Sequence, residues 1–192
     1  TLQRLVPANL RDPQGKWYAL TRRARVPIVN PDIVDPASIK SYADLANPAL
    51  KGKLCLRNRK SPYNQSLVAD QIILRGEAAT AKWIRGMANN VSQEFFPKDT
   101  PQVQAVGKGK CGVAVVNTYY VGRMLAGRKG ADNKALAEKV KVVFPNPTHV
   151  NVSGAGVTAS SDNPQVALKL IEFLASPNAG KGYAAATLEY PV

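Results

Sequence analysis

Between residues 35 and 144 the sequence alternates short strand-like and helix-like stretches, and this alternation restricts the fold more than any other feature of the chain. Short strands separated by helices bury their apolar side chains in a sheet whose faces the helices cover. Leu54-Cys55-Leu56 reads as a strand, 57–60 as a loop, and Ser61-Pro62 as the N-cap and first residue of a helix reaching position 74. A second helix is expected over 77–88 and a third, started at Asp99-Thr100-Pro101, ends near Gly107 ahead of a strand at 111–116. A further strand falls at 140–144, and the i, i+4 apolar spacing over 166–174 marks an amphipathic helix.

Two extended stretches flank this unit, Arg25-Val26-Pro27-Ile28-Val29-Asn30 on entry and residues 149–156 on exit. Both are rich in β-branched residues and bordered by Pro or Gly. They are expected to be two connector strands passing between the same two bodies, a hinge. The division that follows is 1–25 as part of a first lobe, 26–149 as an α/β lobe, and 150–192 as a return to the first lobe. With 192 residues and 45% apolar composition, the chain can bury one sizeable core or two small ones. Its longest apolar runs are of strand length and fall short of a membrane span.

The strand at 111–116 breaks through Asn117-Thr118 into a pair of adjacent tyrosines, Tyr119 and Tyr120. Neighbouring side chains of a strand point to opposite faces, so two consecutive tyrosines converge only where the backbone turns from strand to helix. Such turns at strand ends are where α/β sheets bind ligands, and phenolate oxygen suits a hard trivalent cation such as Fe³⁺. Tyr63 occupies the same kind of position, in the first turn of a helix after a strand. There the partial positive charge of the helix start lowers the cost of a phenolate. Three phenolates would neutralise Fe³⁺; a softer metal would prefer sulfur or imidazole. Arg123, four residues after Tyr119, is a candidate to hydrogen-bond a phenolate or hold an anion, and Arg59 is a candidate for the same role near Tyr63. The alternatives are half-buried boundary tyrosines and ordinary surface arginines. Tyr18, Tyr42, Tyr183 and Tyr190 read as packing residues, and the single histidine, His149, as a structural one.

The net charge of +13 raises the possibility of nucleic acid as a partner. The basic residues are scattered, few aromatics interleave with them, and no nucleic-acid-binding signature is present, so nucleic acid is not expected. Without a second histidine, a nucleophile elbow, a P-loop or a dinucleotide fingerprint, no enzymatic chemistry is expected either. Cys55 and Cys111 have no further ligands at zinc-site spacing. Each lies eight residues before one of the tyrosines, Tyr63 and Tyr119. If both open neighbouring parallel strands, their sulfurs meet, which predicts a Cys55–Cys111 disulfide and an oxidising compartment; two unpaired core thiols are the other reading.

At these residues the chain resembles the periplasmic ferric-ion-binding proteins of ABC transporters, most closely the cyanobacterial FutA/IdiA type. The resemblance runs over essentially all of the chain. It is carried by Val6-Pro7-Ala8-Asn9-Leu10-Arg11, Arg23-Ala24-Arg25-Val26, Ser61-Pro62-Tyr63-Asn64-Gln65-Ser66-Leu67, Asn117-Thr118-Tyr119-Tyr120 and His149-Val150-Asn151-Val152-Ser153-Gly154-Ala155-Gly156-Val157. It implies a type II periplasmic-binding-protein-like lobe, a mixed sheet flanked by helices, with an incomplete part of the second lobe. It also implies Tyr63, Tyr119 and Tyr120 as ligands of Fe³⁺, with a synergistic anion or water completing the shell. By the same resemblance the chain lacks the opening βα units of the first lobe and stops before the family's usual end. The implied role is that of a monomeric periplasmic carrier that delivers ferric ion to an inner-membrane ABC permease. An anion or organic solute held by Arg123 and Arg59 on the same fold is the alternative.

Overall fold

The strand at Val113–Asn117 sits between two hydrophobic clusters. The computed structural model describes all 192 residues, Thr1–Val192. In order the chain forms α1 (Leu2–Leu5), β1 (Tyr18–Val29), β2 (Leu54–Cys55), α2 (Pro62–Arg75), α3 (Glu77–Asn90) and α4 (Asp99–Gly107). It continues through β3 (Val113–Asn117), α5 (Thr118–Leu125), α6 (Ala131–Glu138), β4 (Lys141–Val142), β5 (Val150–Ala155), α7 (Pro164–Leu174), α8 (Pro177–Thr187) and β6 (Tyr190–Pro191). Two compact units result: Thr1–Arg23 with Val150–Val192, and Ala24–His149. No helix is long and apolar enough to cross a membrane.

In the larger unit the strand order is β2-β3-β1-β4. β2 runs parallel to β3, whereas β1 is antiparallel to both β3 and β4, so the sheet is mixed. Alternate residues of β3 enter opposite clusters. Ala114 and Val116 pack with Val103, Val106, Val121, Met124 and Ala137 from α4, α5 and α6. Val113 and Val115 pack with Tyr42, Leu45, Leu50, Leu67, Trp83 and Met87. These come from α2, α3 and two 3-10 turns at Tyr42–Ala46 and Pro48–Leu50. All five β3 residues are buried, as a strand with both faces covered requires. Close packing leaves no room for a side chain at Gly107, where an added Cβ would lie 2.4 Å from the Leu136 carbonyl oxygen.

The smaller unit gathers Leu2, Val6, Tyr18, Ala19, Leu20 and Ile171 into its own core. There β6 pairs with the first half of β1, Thr21 opposite Pro191 and Arg22 opposite Tyr190, and β5 pairs with β1.

The structure departs from the expectations in four places. The entry strand begins at Tyr18, well before residue 25, because its first residues are themselves buried in a core. The strand expected at 140–144 pairs only at Lys141–Val142, since β4 is an edge whose continuation leaves Phe144 exposed. Tyr190 is 45% exposed on the short edge strand β6 and does not pack in a core. The Cys55–Cys111 disulfide is present, but Cys55 pairs in register with Ala114. The sulfurs therefore meet because Cys111 lies just before β3, rather than at matching positions of two strands.

Candidate functional site

The turn from β3 to α5 places both tyrosines in the helix's first turn. Asn117 remains extended while its N–H donates to Asp99 Oδ2 at 3.0 Å, which holds the start of α5 against the start of α4. The Tyr119 and Tyr120 rings then stack, with centroids 4.3 Å apart and planes inclined by 30°. Tyr63 enters from the other face of the sheet: α2 packs through Leu67 into one cluster and α5 through Val121 and Met124 into the other. At the sheet's end the two meet, and the Tyr119 hydroxyl donates to the Tyr63 hydroxyl at 3.3 Å. Phenols from two separate helix starts thus share one small volume.

Guanidinium groups surround this cluster. Arg123 lies 4.7 Å from the centroid of the Tyr119 ring, and Arg57 and Arg25 lie 5.2 and 5.8 Å from that of Tyr63. Cations over aromatic faces attract the ring quadrupole and also favour ionisation of the phenol. Tyr119 itself is buried, and desolvation, followed by its hydrogen bonds with Tyr120 and Tyr63, holds its phenol well above the ordinary range; the Asn117 amide acts in the opposite direction. A proton held this firmly leaves only when a strongly charged cation takes its place. Ser61 Oγ and Thr118 Oγ1, at the starts of the two helices, are buried without a hydrogen-bond partner in the protein.

Tyr63, Tyr119, Tyr120 and Arg123 are brought together, whereas Arg59 is exposed. Arg59 lines a groove of about 680 Å³ with Arg57, Lys60, Leu67, Trp83 and Phe95. Of the arginines in the 57–60 loop, Arg57 and not Arg59 lies over the Tyr63 ring. It lies two residues after Cys55, and its extended backbone bridges to Phe96, an extension of the strand that the sequence does not mark. Asp99 is wholly buried and bonded to both Arg25 and Arg57, at 3.0 and 3.1 Å. An arginine within the apolar stretch of β1 was the visible sign of this buried charge cluster.

His149 and Tyr42 organise the backbone where the larger unit ends. The Tyr42 hydroxyl donates to the Arg25 carbonyl at 2.6 Å and accepts from the His149 N–H at 3.0 Å, and burial pushes its pKa up to about 12. The His149 ring lies 3.1 Å from Ser66 Oγ through Nε2 and 3.6 Å from Asp70 through Nδ1.

Known proteins share this sequence and architecture. The model of the family described as bacterial extracellular solute-binding protein matches residues 2–192. Iron uptake protein A1 of Synechocystis sp. is 43% identical over all of this chain, which spans 54% of that protein. The structure of Trichodesmium IdiA (FutA) in complex with iron and citrate ligands superposes with a TM-score of 0.94 at 37% identity, over 99% of this chain and 61% of that one. A ferric binding protein of Bordetella superposes with a TM-score of 0.89 at 42% identity, again over 99% of this chain and 61% of its own. The chain therefore spans little more than half to three fifths of the proteins it matches. The mixed, helix-flanked sheet and the match along nearly the whole sequence place the chain in the bacterial extracellular solute-binding protein family.

Proposed function

We propose that this chain is the phenol-bearing part of a periplasmic solute-binding protein that captures Fe³⁺ and delivers it to the permease of an ABC importer. Tyr63, Tyr119 and Tyr120 are the ligands in this reading. The observation that carries it is the 3.3 Å approach of the Tyr119 and Tyr63 hydroxyls from opposite faces of one sheet, with Tyr120 stacked beside them. The Synechocystis, Trichodesmium and Bordetella proteins, named for iron uptake, iron and ferric binding, support the choice of cargo. Three phenolates match the charge of Fe³⁺, and the guanidinium groups of Arg123, Arg57 and Arg25 offset the repulsion among phenolates. The remaining coordination positions fall to water, an anion or other residues of the full-length protein.

Iron supplied from a weak chelate should produce a visible phenolate-to-iron charge-transfer band. The double variant Tyr119→Phe, Tyr120→Phe should abolish it. Tyr42→Phe should leave it, because that hydroxyl is already engaged by the backbone of Arg25 and His149. A band indifferent to the double variant, or lost equally in Tyr42→Phe, would refute the ligand set. Acidification should bleach the band, since protons compete for the same oxygens and the Tyr119 phenol binds its proton tightly.

The second reading, an anion or organic solute held by Arg123 and Arg59, keeps only Arg123 at the tyrosine cluster, and there it draws support from the unpartnered Ser61 and Thr118 hydroxyls. Calorimetric binding of phosphate without iron, lost in Arg123→Ala, would favour it.

A further inference from the structure

The helices that carry Tyr63 and Tyr119 are separated by the sheet. Side chains packed on one face cannot fix the distance to a group anchored on the other, so the 3.3 Å hydroxyl separation needs a link at the sheet's end. One side chain supplies such a link. Arg25 lies on β1 opposite Asn117 of β3, and it is fully buried.

We propose that Arg25 is the positioning residue that sets Tyr63 against Tyr119. Its Nη1 donates to Asp99 Oδ2 at 3.0 Å and to Asn117 Oδ1 at 3.1 Å. Its Nη2 donates to Asn64 Oδ1 at 2.6 Å and to the Val115 carbonyl at 3.2 Å. Asn64 directly follows Tyr63, and Asn117 is the residue from which α5, with Tyr119, departs. A planar guanidinium with a donor on each arm fixes both the distance and the angle between these two asparagines; the single ammonium of a lysine cannot. Asp99 orients the fork, and its Oδ1 also accepts from Arg57, whose guanidinium lies 5.2 Å from the Tyr63 ring centroid. A buried ion pair is a poor source of net stability compared with an apolar pair of equal volume, so its placement at this junction suits a geometric task.

The assignment deepens the ferric reading and depends on it only for the metal measurement. In the metal-free protein with isotope-labelled tyrosines, nuclear Overhauser contacts between the Tyr63 and Tyr119 rings report the spacing directly. Ferric titration against a weak chelator then reports affinity and band position. Asn64→Ala and Asn117→Ala each cut one arm while keeping the Arg25–Asp99 pair, and Arg25→Lys keeps the charge without the fork. Asn90→Ala serves as control: this buried asparagine of the same unit bonds the Leu45 and Asn47 carbonyls, away from Arg25. The two arm variants and Arg25→Lys should weaken the ring contact, shift the band and lower ferric affinity by about 10- to 100-fold, the cost of displacing a positioned group by roughly 1 Å. Asn90→Ala should leave spacing, band and affinity unchanged. If Arg25→Lys does not fold, the arm variants decide. Parental ring contacts in both arm variants would overturn the proposal even if iron binds. Ring contacts that depend on Arg25 in a protein that takes up no iron would uphold it and remove the ferric reading.

Discussion

Arg25 and His149 are a few ångströms of backbone apart, joined through the Tyr42 hydroxyl and by the Arg25 N–H to His149 carbonyl bond of 3.0 Å, yet they respond differently to acid. Arg25 keeps its charge throughout; burial lowers its pKa and the neighbouring Asp99 opposes that. Burial also holds the His149 imidazole below its ordinary value of 6.5, with Asp70 opposing and Arg25 reinforcing the shift. The native protein therefore keeps His149 neutral where the unfolded chain already binds a proton. Unfolded chains take up more protons as pH drops below 6.5, so stability falls from there down to the depressed native pKa. Urea midpoints at pH 7.5 and 5.5 should separate more in the parent than in His149→Gln, and an equal separation would remove this group as the cause. The tyrosine cluster was legible as residues because a strand-to-helix turn is visible in sequence. The choice of Arg57 over Arg59 was not, because it depends on where the strand pairing of Cys55 ends.

Elements that begin with a strong local signal are the ones the sequence locates well. α2 starts at Pro62, whose fixed φ suits a first helical residue, and α4 opens at Asp99, an acidic residue in a first turn, where the sequence places them. Strand limits follow from partners instead. β4 stops after two residues because only Ile28 and Val29 pair with it, and nothing in its own composition says so. The meeting of α4 and α6 is likewise tertiary. Gly107 brings the Leu136 backbone so near that a methyl group would overlap its carbonyl carbon and oxygen. Gly107→Ala should therefore destabilise the larger unit by about 1–3 kcal/mol, the usual range for overpacking a filled site. Thermal unfolding would measure it, and Gly76→Ala, where no neighbour stands within 4 Å but φ is +81°, would report backbone strain alone.

Across the molecule, the sole disulfide lies within the larger unit and closes a separation of 56 residues. Its reduction should lower the stability of that unit by about 2–4 kcal/mol, through the entropy regained by its unfolded chain. Trp83, buried there, would report the change in a Trp17→Phe background, and an unchanged midpoint on reduction would contradict it. The β-branched stretches bordered by Pro and Gly stand out in the sequence, and β1 and β5 fall on them. Of the buried polar junction only Arg25 stood out, since its partners are far away in sequence: Arg25 and Asn117 are 92 residues apart, Arg25 and Asp99 74. That separation has a consequence for synthesis. Arg25 emerges from the ribosome long before either partner, and any state in which β3 has yet to dock on β1 carries Tyr63 without its counterpart. The geometry of the tyrosine cluster is thus a late product of folding, completed by a pairing of high contact order and unavailable to a nascent chain.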